Sequence, residues 1–216
     1  MAYVEIAGRI RTDIFELDHN PLALDLEEVS NMLPQHLEIH ALLTSNKQVC
    51  EFYAGTNYED FRRACQRYDH YFRSSGEQEY DLVVASAGGY PKDINFIQAH
   101  KSIHNAASFV KNGGKLIIFV ECHDGLGNPD FMEIFRMGGQ ERIFEHLEGE
   151  YRNNAGTALS MLEKSDRIEI QMVTSLSKED CELMGASKCA SEDVQKMIDL
   201  EQGTVAVLEE AGILYR

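Results

Sequence analysis

The stretch Tyr80–Glu121, YDLVVASAGGYPKDINFIQAHKSIHNAASFVKNGGKLIIFVE, decides how this chain folds. It opens with an almost unbroken apolar run, Tyr80–Ser86, of the length and composition of a strand buried on both faces. A turn-rich loop follows, Ala87-Gly88-Gly89-Tyr90-Pro91-Lys92-Asp93, with Asp93 placed to cap a helix. At about 100° per residue, Phe96, Ala99, Ile103, Ala106, Ala107 and Val110 gather on one face. The pattern predicts a helix running to Lys111, stopped by Asn112-Gly113-Gly114. Lys115–Glu121 is then a second buried strand. Strand, helix and strand in this order predict a right-handed crossover between two parallel strands.

The surroundings agree with an α/β chain. Downstream, the loop Cys122–Pro129 leaves the second strand, and residues 130–147 are predicted helical with a break at Gly138-Gly139. Arg167–Thr174 reads as a strand, Ser177 as the cap of a short helix, Ser191–Leu200 as a helix, and Thr204–Leu208 as a last strand. Upstream, Glu38–Thr44 and Gln48–Tyr53 form a predicted hairpin across Ser45-Asn46-Lys47. Phe61, Cys65, Tyr68 and Phe72 recur at helical spacing, which predicts a helix over 57–73. The predicted fold class is α/β: a three-layer arrangement with a βαβ crossover, its mixed sheet including a hairpin near the N-terminus. Residues 1–36 are predicted to be a connecting segment with one short helix, and 37–216 the α/β lobe.

Composition narrows the partners. Thirty-six acidic residues against 20 basic ones leave a net charge of −16, and no cluster of Lys and Arg offers itself to a phosphate backbone or an anionic membrane. Nucleic acid and membrane are therefore not expected as partners. The five cysteines form no CxxC pair and are odd in number, which fits reduced thiols better than a disulfide framework. With no secretory signal and no long apolar run in the sequence, a cytoplasmic location is expected.

In open α/β sheets ligands bind beyond the carboxyl ends of the strands, and two loops lie there: Ala87–Lys92 and Cys122–Pro129. The Gly88-Gly89 turn is neither a dinucleotide fingerprint nor a Walker loop. On the helix after it, Gln98 and Lys101 stand together opposite the apolar face, with Asn105 one turn on. A Lys ammonium beside a Gln carboxamide suits a small carboxylate, although such a pair is most simply a solvated helix face. His100 and His104, four apart, have the spacing of metal ligands but no evident third partner, and read as surface or second-layer histidines. Cys122-His123-Asp124 reads as a buried or idle thiol with polar neighbours, since adjacent residues rarely aim at one centre. Met132 and Phe135 are core. No nucleophile–base–orienter set can be assembled.

Ser86–Ala106, SAGGYPKDINFIQAHKSIHNA, resembles the lactate racemase family, whose cofactor is a nickel pincer derived from nicotinic acid. The likeness continues through Gly113-Gly114-Lys115 and Glu121-Cys122-His123-Asp124-Gly125-Leu126-Gly127. It is looser over Ala54-Gly55, Asn154–Met161 and Leu176–Ser191. Asn20-Pro21, Asp25 and Glu28 resemble the stretch leading from that family's larger lobe, so nearly the whole chain aligns with the family's second half. The resemblance implies two lobes closing over the cofactor. The N-terminal lobe supplies the lysine that carries the pyridinium ring, a nickel ligand and paired acid–base histidines. The second lobe supplies a Gln and a Lys matching Gln98 and Lys101, and Gly88, Gly89 and Tyr90 are implied to lie beside the cofactor.

Nothing in this chain resembles the lobe with the catalytic groups. The resemblance therefore implies the C-terminal lobe of a 2-hydroxyacid racemase or epimerase, with no catalytic residue of its own. The nickel-pincer nucleotide belongs to the complete enzyme and is not held tightly by this chain. The partners implied are the missing N-terminal lobe or subunit and a small 2-hydroxy acid, and the isolated chain is expected to be inactive. Ile97 stands where the family's reference enzyme has an aromatic residue, and the chain has no Trp, so the acid is expected to differ from lactate. The other reading is a stand-alone α/β module that binds a small carboxylate or phosphate without catalysis. With the larger lobe absent, Ile6, Ile10, Ile14, Phe15 and Leu17 are expected to lack their usual cover and to be either hidden by self-association or left mobile.

Overall fold

A computed structural model of the chain describes residues 17–18, 20–34, 36–74, 76, 78–128, 130–149 and 154–216. Ile6, Ile10, Ile14 and Phe15 lie outside them. The chain forms two compact units that divide between Arg73 and Ser74. The hairpin predicted near the N-terminus thus falls in the first unit, with the segment before it.

In the first unit, helix α1 (Pro21–Met32) begins with Asn20 as its cap, the side chain accepting from the Leu22 amide, and Pro21 at the first helical position. Strands β1 (Glu38–Leu43) and β2 (Val49–Gly55) pair antiparallel as a two-stranded sheet of their own. Helix α2 (Tyr58–Phe72), capped by Asn57, packs on them, and the Tyr58 hydroxyl ties it to the carbonyl of Ala23 in α1.

The second unit is built on a parallel sheet. Strand β3 (Tyr80–Ser86), helix α3 (Phe96–Ala107) and strand β4 (Val110–Phe119) make the crossover. Helices α4 (Phe131–Arg136), α5 (Gln140–Gly149) and α6 (Ala155–Arg167) lead to strand β5 (Glu169–Val173). Helix α7 (Lys178–Leu183), strand β6 (Ser187–Lys188), helix α8 (Ser191–Leu200) and strand β7 (Val205–Leu208) complete it. The strand order is β6-β5-β4-β3-β7, every neighbour parallel.

The near-continuous apolar strands follow from helices on both faces. Leu82, Val84 and Ile117 pack with Val194, Met197 and Ile198 of α8. The alternate residues Val83, Ala85, Leu116 and Ile118, all buried, point to the opposite face. There α3 lies against β3 and β4, and α6 packs on α3.

Two details of the crossover depart from the sequence reading. The helix cap is Asn95, whose side chain accepts from the Gln98 amide, while Asp93 is buried and accepts from the Glu121 amide at the end of β4. The helix also stops at Ala107, and Val110 is already strand. Arg167 explains the early stop: its guanidinium donates to the carbonyls of Ala107 and Val110, taking up acceptors that another helical turn would need.

Candidate functional site

The strand order locates the crevice where an α/β sheet usually takes a ligand. β3, β4, β5 and β6 follow one another in one direction, and β7 then returns to the other side of β3. The switch point therefore lies between the ends of β3 and β7. That place is filled. Lys92, in the loop after β3, pairs with Glu210, just after β7, at 2.5 Å. Gly88, at φ +85°, sits so close that a Cβ there would come within 2.3 Å of the Glu210 carboxylate. Glycine suits this position for its left-handed dihedral, and a larger residue would also displace the ends of the Glu210 and Lys92 side chains.

Helix α3 starts directly beyond this clamp. Its first turn is held by the second loop: the Phe96 amide donates to the Gly125 carbonyl, and Gly127 lies against the Asn95 side chain, where a Cβ would be 2.6 Å away. An open hollow of about 460 Å³ remains there, lined by Asn95, Asp124, Leu126, Gly127 and Asn128. A second, of about 330 Å³, lies at the ends of β3, β4 and β5, among Ser86, Gly89, Asp93, Glu121 and Thr174.

The helix is covered on most sides. Ala99, Ile103 and Ala106 are fully buried. Asn105 does not join Gln98 and Lys101 as an exposed polar group; it donates to the Ala211 carbonyl and ties the helix to the segment after β7. His100 is buried, not a surface group. Among the described residues its Nε2 has no hydrogen-bond partner, and burial and the neighbouring Lys164 hold its pKa far below the ordinary value, so the ring is neutral. Lys164, itself buried, donates to the Ser160 carbonyl and hydroxyl, and desolvation lowers its pKa to about 8. Sequence periodicity could not find this pair, because the partner helix α6 is distant along the chain.

Gln98 and Lys101 stay exposed. The Lys101 ammonium donates to Gln98 Oε1 at 2.9 Å, and among the described residues no carboxylate pairs with it. The Gln98 NH₂ and the remaining ammonium protons thus face outward as donors. Tyr90 is 79% exposed in the loop after β3, whereas Gly88 is engaged by Lys92 and Glu210. Cys122 is buried, and burial pushes its thiol up to about 12, which suits packing and not nucleophilic attack. Among the described residues no three His, Cys, Asp or Glu side chains form a metal-ligand set, and no helix is long and apolar enough to cross a membrane.

The fold is matched by known proteins. The model of the lactate racemase C-terminal domain matches residues 76–205. The chain belongs to the lactate racemase C-terminal domain family. Within that family it is similar to the lactate racemase of Thermoanaerobacterium thermosaccharolyticum, 26% identical over 120 residues, which are 56% of this chain and 28% of that protein. The lactate racemase of Lactiplantibacillus plantarum is also 26% identical, over 115 residues. The lactate racemase apoprotein structure from T. thermosaccharolyticum superposes over 93% of this chain with a TM-score of 0.80 at 20% identity. A Thermotoga maritima protein superposes over 99% with a TM-score of 0.66 at 14% identity. The chain spans 50% and 56% of those two solved chains, about half.

The racemase-type helix α3 depends on its cap. Asn95→Ala is expected to cost about 1 kcal/mol, read by chemical denaturation, and to loosen the turn that carries Gln98. An unchanged midpoint would show that the Gly125 and Leu126 carbonyls hold the first turn without it.

Proposed function

We propose that this chain is the C-terminal lobe of a 2-hydroxyacid racemase or epimerase of the lactate racemase type, cytoplasmic, and closing over a substrate and cofactor held by an N-terminal lobe. The observation that carries the reading is the Gln98–Lys101 pair: two donors side by side, exposed and, among the described residues, without an acidic partner, within the matched segment. Such a pair can take a small carboxylate, Lys101 supplying the charge and Gln98 a neutral hydrogen bond. The exposed Tyr90 and the Gly89 turn would border the cofactor. In this family the nickel-pincer group supplies hydride uptake and return at C2 of the acid. The donors on α3 fit an anionic group and not a metal, so this chain would orient the acid and shield it, and the other lobe would hold the nickel.

The test is a single polypeptide fusing this chain to a cofactor-loaded N-terminal lobe of the lactate racemase type. The fusion is expected to interconvert the enantiomers of a short 2-hydroxy acid, and this chain alone, given mature cofactor, is expected not to. Carboxylate binding by the chain with no turnover in the fusion, for any short 2-hydroxy acid tried, would show a binding module instead.

A further inference from the structure

Two buried polar side chains meet behind the face that carries Gln98 and Lys101. His100 falls between those residues in sequence and so turns to another side of α3, the helix on which α6 packs. It is 7% exposed, and so is Lys164 of α6. The two are near neighbours: after burial itself, the Lys164 ammonium is the main influence that keeps the imidazole neutral. Neither group is satisfied among the described residues. Lys164 directs two of its three protons to the Ser160 carbonyl and hydroxyl, which leaves one, and no carboxylate pairs with it. Beyond desolvation, its charged neighbours Glu163 and Arg167 act in opposite directions. His100 Nε2 has no partner. Buried charges are otherwise paired, and nearly all buried polar atoms are hydrogen-bonded. Two adjoining exceptions, one of them a cation, point to one shared partner.

We propose that Lys164 and His100 hold a small monovalent anion, of halide size, between α3 and α6. The ammonium supplies the charge and its third proton, and the neutral imidazole donates from Nε2, leaving Nδ1 as the ring's acceptor. A cation would be repelled by the ammonium. A water would satisfy the hydrogen bonds but leave the buried charge uncompensated. The size follows from the packing. Ile103 and Ala106 on α3, and Ala158 and Met161 on α6, are fully buried, and a close-packed seam suits a single ion better than a polyatomic oxyanion. The chain's net charge of −16 does not prevent binding. Surface charges more than about 10 Å away are screened at 0.1 M salt, whereas a buried ammonium acts on its neighbour at short range. The ion would tie α3 to α6 and stiffen the helix that presents Gln98 and Lys101.

The test follows the melting temperature of the full chain at pH 7 as sodium bromide replaces sodium methanesulfonate at constant ionic strength. Wild type is expected to rise by about 3 °C or more, as for any ligand bound by the folded state alone. Lys164→Met, whose apolar chain of similar length suits the buried position, should melt higher without the ion and gain nothing from it. The two curves therefore draw together as bromide is added. His100→Leu should rise less than wild type, because one donor is gone. Lys101→Ala should rise as wild type does, since its ammonium lies on a different side of the helix. No rise in wild type would leave a water in the place and overturn the proposal. An equal rise in Lys164→Met or in His100→Leu would also overturn it, marking adventitious bromide at the surface. So would a rise lost with Lys101→Ala, which would put the ion at the exposed pair.

Discussion

In the two-lobe enzyme, Lys101→Ala is expected to lower kcat/KM by about a hundredfold or more, equivalent to about 3 kcal/mol of transition-state binding. The melting temperature should move by no more than about 1 °C, because an exposed ammonium contributes little to stability. The contrast follows from the surroundings. In the isolated lobe Lys101 meets Gln98 and water, so its removal breaks nothing that the fold needs. In a closed cleft a substrate carboxylate would lose its charged partner in a drier medium, where a missing hydrogen bond to an ion is most costly. Gln98→Ala should follow with a smaller loss, since a neutral donor is replaced. Full activity in Lys101→Ala, or a melting temperature lowered by many degrees, would make Lys101 structural and remove the pair from the site.

The second large effect lies behind that face. Lys164→Met is expected to stabilise the second unit at pH 7 by about 3 kcal/mol, and the gain should fade as the pH rises towards 10.5. Lys164 titrates near 8 in the folded chain against an ordinary 10.5. At about 1.4 kcal/mol per pH unit the gap corresponds to about 3 kcal/mol. The sign follows from proton counts. Between pH 8 and 10.5 the unfolded chain binds more protons at this residue than the folded one, so stability rises with pH. Below about 8 both states are charged and the cost of burying the ammonium is complete; above 10.5 both are neutral and it vanishes. Replacing a buried charge that forms no ion pair with a carboxylate among the described residues by an apolar chain of similar length should therefore help most at neutral pH and below. Comparing melts of variant and wild type across this range isolates Lys164 from the tyrosines and cysteines. A gain that does not vary with pH would mean the side chain is not charged in the fold.

The α/β fold was legible in sequence because its strands, Tyr80–Ser86 and Lys115–Phe119, are buried on both faces and so are written as continuous apolar runs. The turn glycines and the period of α3 mark what lies between them. Gln98 and Lys101 were likewise legible as neighbours, since three residues is nearly one helical turn, but their spacing alone did not separate a ligand face from a solvated one. The resemblance in the loop before them is what favours the ligand reading proposed above.

Tertiary structure decided the rest, for a common reason: each feature depends on contacts between segments far apart in the chain. Arg167 ends α3 at Ala107 from 60 residues away. Glu210 closes the switch point against Gly88 and Lys92, so the crevice that the strand pattern offers to a ligand is occupied by an ion pair. Helix α6 decides between the two readings of His100, surface or second-layer, by making it a buried neutral ring beside Lys164. The hairpin likewise shows alternating residues in sequence, but which of its faces meets water depended on where α2 came to lie. A sequence records local periodicity; only the folded chain shows which face another segment has already taken.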